Sequence, residues 1–402
     1  MERLASGSWL TSARVRRIAG LAGLATMLTI SWLFLSSTGT VDWMGRPLGT
    51  DFSNVWTAGW MALHGRASEV WSWQAHFQVQ QALHGSPTVD LFGWHYPPPL
   101  LLVAAGLATL PYVHALILWQ LATLLPFAWL MQRLIPGWDA LLLTLAAPVV
   151  LICLTHGHNG FLTAFLLAGG LMLLERRPLL AGILFGCLIY KPQLALVLPV
   201  LLLAGRHWRA IAGAALSAGI LIAITLAAWG WPVWQAFFDS LPLTRSVVIE
   251  QGATGFHKIM SPFAAVRLWG GDISTAYAVQ LVFTVAAMAV VGWVSFAPQR
   301  KALRNAIVCA AVVISTPYVL DYDLVVLLPA LAWLWLDGRE HGFQHWDRTL
   351  MGLVWIAPLF ARSLAEFALV PLGMMTGLIV AAIALRRLTA SPFRHLRAAS
   401  AQ

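Results

Sequence analysis

The segment from residue 49 to residue 99 decides how this chain must fold. It begins with GTDFSNVW at residues 49–56, continues through EVWSW at residues 69–73 and ends with WHYPPP at residues 94–99. Apolar runs stand on both sides of the segment. The pattern predicts a long polar-aromatic loop suspended between membrane-spanning runs, which is a place where chemistry or recognition can occur.

The composition is that of a polytopic membrane protein. Hydrophobic residues make up 59% of the chain and charged residues 10%, whereas soluble domains carry roughly 25% charged residues. Helices are expected, because a helix satisfies its own backbone polar groups within a hydrocarbon core. The apolar runs are continuous rather than alternating, which argues against a β-barrel. We therefore expect an all-α bundle of about 12 transmembrane helices, within a range of about 11–13.

The formal net charge of +9 follows the rule that cytoplasmic loops are basic, and no nucleic-acid partner is expected. Basic residues flank the outermost apolar runs: Arg14, Arg16, Arg17, Arg386, Arg387, Arg394 and Arg397. Both termini are therefore predicted to be cytoplasmic. Further basic clusters, at residues 206–209, 300–304 and 339–348, are predicted to be cytoplasmic. They place residues 230–262, a turn around Asp321 and a turn at residues 362–366 on the outer side, together with the first loop.

We interpret residues 1–402 as a single membrane domain. Its predicted parts are a first transmembrane helix (18–36), a first outer loop (37–97), helices (98–229), a second outer loop (230–262), helices (263–385) and a cytoplasmic tail (386–402). Counting every apolar block as a crossing gives about thirteen spans, whereas two cytoplasmic termini require an even number. Either residues 179–204 form a single tilted helix through Lys191 and Pro192, or one of the shorter blocks before Glu175 is re-entrant.

Asp51 stands at the start of a predicted amphipathic helix in the first outer loop. Apolar residues recur at helical spacing from Phe52 to Leu63, which fits a helix that lies in the interface plane. Asp51 is either the N-cap of this helix or a general base, since a partly desolvated carboxylate can take a proton from a hydroxyl. The tryptophans are either interfacial anchors or platforms for sugar stacking: Trp43, Trp56, Trp60, Trp71, Trp73 and Trp94.

Other polar residues in or beside apolar runs are candidates for substrate binding. Lys191 lies deep in an apolar stretch, so it either contacts a substrate or snorkels to the interface. The remaining candidates are His95, Tyr96, His158, Asn159, Asp321 and Asp323. No cofactor is expected, and a metal is not indicated because no carboxylate or thiol stands near the HGHNG turn at residues 156–160. The three cysteines have no pairing pattern and are expected to be core residues.

Five short motifs occur in order along residues 18–335. They are an Asp before an aromatic helix and a Gly (Asp51, Trp56, Gly65), Tyr-Pro-Pro (Tyr96, Pro97, Pro98), the turn HGHN (156–159), a Gly-rich helix before Lys-Pro (Gly182, Gly186, Lys191, Pro192) and Pro-x-x-x-x-Tyr-Asp (Pro317, Tyr322, Asp323). Together they resemble the multi-spanning glycosyltransferases of the GT-C superfamily, most closely glycosyltransferase family 87. Two departures stand out: His158 replaces a frequent Gln, and no His precedes the late acids.

The resemblance implies an enzyme that moves a hexose or pentose, usually mannose or arabinose, from a polyprenyl-phosphate donor to a glycan or lipid acceptor at the outer face of a bacterial cytoplasmic membrane. It gives Asp51 the role of base in an inverting displacement. Lys191, Arg245 or His95 would hold the donor phosphate, and the lack of a nucleotide-binding loop suits a lipid-linked donor. Two other classes explain buried polar residues: a lipid or solute transporter, and a non-catalytic subunit of an envelope assembly.

Overall fold

The structure, a computed structural model, describes residues 1–296 and 300–389 and is built from helices. Helix accounts for 77% of it, and the described residues form isolated β-bridges but no strand. The all-α prediction is confirmed. Arg394 and Arg397 of the predicted cytoplasmic tail lie outside the described residues.

Ten α-helices occupy the N-terminal half of the chain. They are α1 (Glu2–Ser6), α2 (Ser12–Leu35), α3 (Phe52–Leu63), α4 (Trp73–His84), α5 (Pro98–Leu107), α6 (Tyr112–Leu134), α7 (Trp138–Leu145), α8 (Pro148–His156), α9 (Gly160–Leu173) and α10 (Pro178–Cys187). The predicted first outer loop therefore carries α3 and α4, joined through a 3₁₀ turn at Ala67–Trp71.

Ten more α-helices follow in the described part of the remaining chain. They are α11 (Leu198–Ala204), α12 (Trp208–Trp229), α13 (Trp231–Thr244), α14 (Pro262–Leu268), α15 (Ile273–Phe296), α16 (Lys301–Ile314), α17 (Leu327–His341), α18 (Asp347–Ile356), α19 (Pro358–Ala368) and α20 (Leu372–Thr389). Short turns complete the chain: 3₁₀ segments at Leu188–Tyr190, Pro192–Ala195, Phe256–Lys258 and Asp321–Val326, and a π-helical turn at Arg245–Glu250.

Among the described residues, five helices are long and apolar enough to cross a membrane: α2, α6, α12, α15 and α20. Two bent pairs, α7 with α8 at 51° and α18 with α19 at 75°, raise the number to as many as seven if each pair is one span. The protein is therefore a multi-pass membrane protein. The predicted total of about 12 spans would require the shorter apolar helices to cross as well, and it stays a prediction.

Prolines break two of the predicted apolar blocks. The stretch 179–204 is not one tilted helix, because Lys191 leaves the helical region at φ −141° directly before Pro192, as residues before proline tend to do. The predicted turn at residues 362–366 is also wrong, since those residues lie inside α19, which begins at Pro358 after the 75° bend. The segment predicted to be the second outer loop, residues 230–262, contains the 14-residue helix α13.

The predicted helix Phe52–Leu63 is confirmed as α3, but it packs inside the protein. Nine of its 12 residues are buried. Gly59 lies against α5 so closely that an added Cβ would stand 2.0 Å from the carbonyl oxygen of Ala104. A glycine is required where two helix backbones approach in this way. The helix that follows Asp51 is therefore fixed to α5.

Candidate active site

Asp51 occupies the N-cap position of α3 without capping the helix. Its backbone is already helical, with φ −69° and ψ −22°, and its side chain accepts no capping hydrogen bond. Capping side chains normally require an extended backbone at this position. The predicted N-cap interaction is thus not formed, and the half-buried carboxylate is available for another role.

The HGHNG turn is packed directly against the chain around Asp51. Helix α8 ends at Gly157, which adopts φ +60°, and a Cβ there would stand 2.6 Å from the Cβ of Phe52 and 3.2 Å from the carbonyl oxygen of Gly49. Only glycine fits both the left-handed backbone and the close approach. This contact brings the residues of the turn beside the carboxylate.

The electrostatic surroundings of Asp51 are mixed. Burial raises the pKa of its carboxyl above the ordinary value of 3.8, whereas Arg362, a hydrogen bond from the Tyr322 hydroxyl and, when it is protonated, His156 act to lower it, and Asp321 acts to raise it. Desolvation outweighs the favourable neighbours. A carboxylate whose pKa is raised is a better proton acceptor than an ordinary surface Asp.

Arg362 links two of these neighbours. Its Nη2 donates to Oδ1 of Asp321 at 2.9 Å and to Nε2 of His156 at 2.9 Å. A guanidinium only donates, so Nε2 of His156 must be the acceptor and the ring is neutral, with its proton on Nδ1. Asp321 is fully buried, and Arg362 compensates its charge.

A second cluster of polar side chains, Lys191, Asp323 and Asn159, is buried, and its members bond to one another. Nζ of Lys191 donates to Oδ1 of Asp323 at 2.6 Å and to Oδ1 of Asn159 at 3.2 Å. The other carboxylate oxygen of Asp323 accepts from the backbone N–H of Leu320 at 3.1 Å. Lys191 and Asp323 are only 3% and 2% exposed, so Lys191 does not snorkel to a surface. Each charge is neutralised within the protein.

Aromatic contacts connect the two groups. The Tyr96 hydroxyl pairs with Nε2 of His158 at 3.1 Å, and the His158 ring stacks on Tyr322 with centroids 3.4 Å apart. Burial holds the pKa of Tyr96 well above its ordinary value, so the phenol stays neutral. Nδ1 of His158 is buried without a partner among the described residues. Trp94, expected at the headgroup level, is instead buried beside Tyr96 with centroids 5.1 Å apart.

His95 and Arg245 lie in a separate region. Nδ1 of His95 pairs with Oγ1 of Thr244 at 3.1 Å, and burial lowers the pKa of the imidazole to about 4. The Arg245 side chain is 67% exposed and its Nε contacts Oε1 of Glu250 at 2.7 Å. Thr244 and Arg245 line an open groove of about 880 Å³, together with Phe238, Leu241, Pro242, Ile249, Tyr277 and Pro317.

Arg362, His156 and Tyr322 were not among the predicted site residues. Arg362 follows an apolar block and was assigned to a loop, where an arginine needs no partner. One feature of the sequence could have identified Arg362. It is a cation at the end of an apolar run, and Asp321, an acid beside another apolar run, needs a counter-ion. Within the described ranges, no three His, Cys, Asp or Glu side chains come together as a metal site would require.

Comparison with known proteins places the chain in one family. A family model described as Glycosyltransferase family 87, of the GT-C type, matches residues 94–320, just over half of the chain. The matched region contains Tyr96, His158, Asn159 and Lys191, and it ends directly before Asp321. No curated protein and no solved structure gives a significant match. The chain belongs to glycosyltransferase family 87 and is a membrane glycosyltransferase.

Proposed function

We propose that this enzyme transfers a hexose or pentose, with mannose the first sugar to test, from a polyprenyl-phosphate donor to a glycan or lipid acceptor at the outer face of a bacterial cytoplasmic membrane. The transfer inverts the anomeric centre, and Asp51 is the general base. The observation that carries the proposal is the carboxylate of Asp51, which begins α3 without capping it and is approached by the Tyr322 hydroxyl. It is surrounded by polar groups that are themselves already paired.

The reaction follows from this arrangement. The acceptor hydroxyl gives its proton to the Asp51 carboxylate as its oxygen attacks the anomeric carbon. The bond between that carbon and the phosphate oxygen breaks, and polyprenyl phosphate leaves with the bonding electrons. Attack opposite the leaving group inverts the configuration. Arg362 lowers the pKa of Asp51 and so favours the ionised form that can accept the proton.

The leaving phosphate needs a cation near the membrane surface. Among the predicted candidates, Lys191 is buried in the interior together with its partner Asp323, whereas Arg245, although it pairs with Glu250, is exposed in the apolar groove. A guanidinium binds phosphate oxygens through paired hydrogen bonds, and the apolar lining suits a polyprenyl chain. We therefore assign the donor phosphate to Arg245, with His95 behind it through Thr244, and give Lys191 a structural part.

The proposal keeps the expectation of a GT-C-like bundle of about 12 transmembrane helices, with α3 and α4 on the outer side. It requires no metal or cofactor, since the base and the phosphate contact are protein side chains.

A donor assay tests the proposal. Purified enzyme in lipid is offered either a nucleotide-linked mannose or a polyprenyl-phosphate-linked mannose, with the arabinose analogue in parallel, and transfer to a lipid or glycan acceptor is measured. Turnover is expected with a lipid-linked sugar and not with the nucleotide sugar. Turnover with the nucleotide sugar alone would overturn the proposal, and the stereochemistry of the product separately checks inversion.

A further inference from the structure

A second cavity lies far along the chain from Asp51, at the start of α10 and α12. Its volume is about 430 Å³, within the range of about 300–1,000 Å³ typical of small-molecule sites. Two arginines and an apolar wall line it: Arg177, Arg209, Pro178, Leu179, Leu180 and Ile183. Neither the predicted reaction nor the family match assigns a role to it.

The two arginines are held at the same end of a rigid helix pair. Gly182 of α10 lies against Ala210 of α12, where an added Cβ would stand 1.9 Å from the Ala210 carbonyl oxygen. The hydroxyl of Ser217 also donates to the carbonyl oxygen of Ile183 at 3.0 Å. Gly186, one turn further along α10, lies against Ala214, one turn further along α12. The two helices therefore run parallel. Arg177 and Arg209, each just before or within the first turn, therefore stand side by side.

The positive charge of the cavity is not compensated by the protein. Glu175, the acid nearest in sequence, pairs with Arg304 at 2.7 Å and lies 4.0 Å from Lys301. Arg177 and Arg209 are both exposed, and neither forms a salt bridge within the part of the chain that the structure describes. Two adjacent guanidinium groups without an acid partner attract an anion with several oxygens.

The position of the cavity at the membrane surface indicates which kind of anion it would bind. It opens at the N-terminal end of α12, a candidate membrane span of 22 residues. Trp208, beside Arg209, is 63% exposed, as is usual for tryptophan at the headgroup level. Leu179 and Leu180 are also exposed on the apolar wall. The site therefore offers cations at the headgroup level and apolar side chains at the acyl level.

From this combination we propose that the cavity binds an anionic phospholipid, with its phosphate between Arg177 and Arg209 and one acyl chain along Leu179, Leu180 and Ile183. By the distribution of basic residues this is the cytoplasmic leaflet, where basic pockets between membrane helices bind acidic headgroups. The site is separate from the donor groove, and the proposal does not depend on which sugar the enzyme transfers.

Native mass spectrometry of the full-length protein in detergent tests the site. Phosphatidylglycerol and phosphatidylcholine with the same acyl chains are added separately, and retained lipid is counted. We expect selective retention of phosphatidylglycerol. The double variant R177Q/R209Q should weaken it by about 30-fold, at about fivefold for each arginine near a membrane surface.

A matched control removes the same charge from the same face. Arg176 and Arg206 are exposed neighbours that do not line the cavity, so R176Q/R206Q should keep phosphatidylglycerol. Equal losses in both double variants would overturn the site in favour of general surface attraction. Equal retention of the two lipids by the parent protein would also overturn it. In a third arm, Leu180→Ser should weaken retention, whereas displacement of the lipid by millimolar inorganic phosphate alone would show that the acyl contacts are not used.

Discussion

Two aspartates of this enzyme, Asp51 and Asp323, each lie at the start of a helical segment but differ in how their carboxylates are paired. Asp323 is closed: Lys191 donates to one oxygen at 2.6 Å and the Leu320 backbone to the other at 3.1 Å. Asp51 is open, since its side chain makes no capping contact even though it begins a helix. A carboxylate that is locked in a salt bridge in the interior organises the fold, whereas one that forms neither a salt bridge nor a helix cap can act on a substrate. Changes at the two acids should therefore separate activity from stability.

The largest expected effect comes from Asp51→Asn. The variant cannot accept the acceptor proton, so kcat should fall by about 10²–10⁴-fold, the usual contribution of general base catalysis. Stability should not fall. Because the pKa of Asp51 is raised in the folded protein, its ionised form costs folding free energy at neutral pH, and asparagine removes that cost.

Kinetics with the lipid-linked donor and a thermal unfolding curve of the same preparation check both halves of this prediction. Asn54, three residues on and buried in α3, gives a control: Asn54→Ser changes α3 without touching the carboxylate. An Asp51→Asn enzyme that turns over within a few-fold of the parent would remove Asp51 from the reaction.

Lys191→Met should show the opposite pattern. From the sequence alone, this change would leave folding intact and weaken donor binding. The buried pair reverses that expectation, because loss of Lys191 strands the Asp323 carboxylate in the interior, at a cost of about 3–5 kcal/mol of folding free energy.

The double variant K191M/D323N removes the stranded charge and should recover most of the loss in a thermal unfolding measurement. If Lys191→Met were as stable as the parent and only its donor KM rose, then Lys191 would be a phosphate contact and the contrast with Asp51 would fail.

The pH dependence sharpens the same contrast. The base must be ionised, so kcat/KM should rise with pH through the pKa of Asp51 and level off above it. Because burial raises that pKa above 3.8, the acidic limb should lie at higher pH than for an ordinary Asp. Below the limb the rate should fall by about tenfold per pH unit. Loss of the acidic limb in Asp51→Asn is the deciding measurement.

The smallest effect is expected for Arg245→Gln. The side chain is 67% exposed and its ion pair with Glu250 is a surface contact, so stability should change by less than about 1 kcal/mol. The KM for the donor should rise by about tenfold, the scale of one hydrogen bond to a charged group, with kcat less affected. Arg66→Gln, which breaks a similar surface pair with Glu69 at 2.7 Å, is the control and should leave KM unchanged.

The all-helical fold and the clustering of polar motif residues could be predicted, because each follows from the chemistry of short stretches of sequence. Continuous apolar runs require helices, and the order of short motifs pointed to the family that the comparison then showed. The motif residues Asn159, Lys191 and Asp323 do meet in space. Polar residues that are costly inside a membrane must find partners, so their presence predicts a cluster.

The partners within the cluster could not be predicted. Nothing local shows that Lys191 would meet Asp323 across 132 positions or that Arg362 would meet Asp321. The position of residues 362–366 was wrong because a lone arginine beside an acid is typical of a loop, and the 75° bend before α19 depends on packing. Asp51 does not cap α3 because its backbone is already helical, and the sequence does not specify that backbone conformation.

The close contact of Gly59 with Ala104 has a further meaning for catalysis. Helix α3 packs backbone to backbone against α5, and opening it would expose its nine buried residues, so we expect the segment after Asp51 to stay in place during turnover and not to open as a lid. Asp51, the proposed base, would then be held in place, and both reactants would have to bring their atoms to it. An acceptor whose hydroxyl stands one bond too far from its membrane anchor would then remain unreacted however tightly it bound, so the fixed depth of Asp51 would select acceptors by reach.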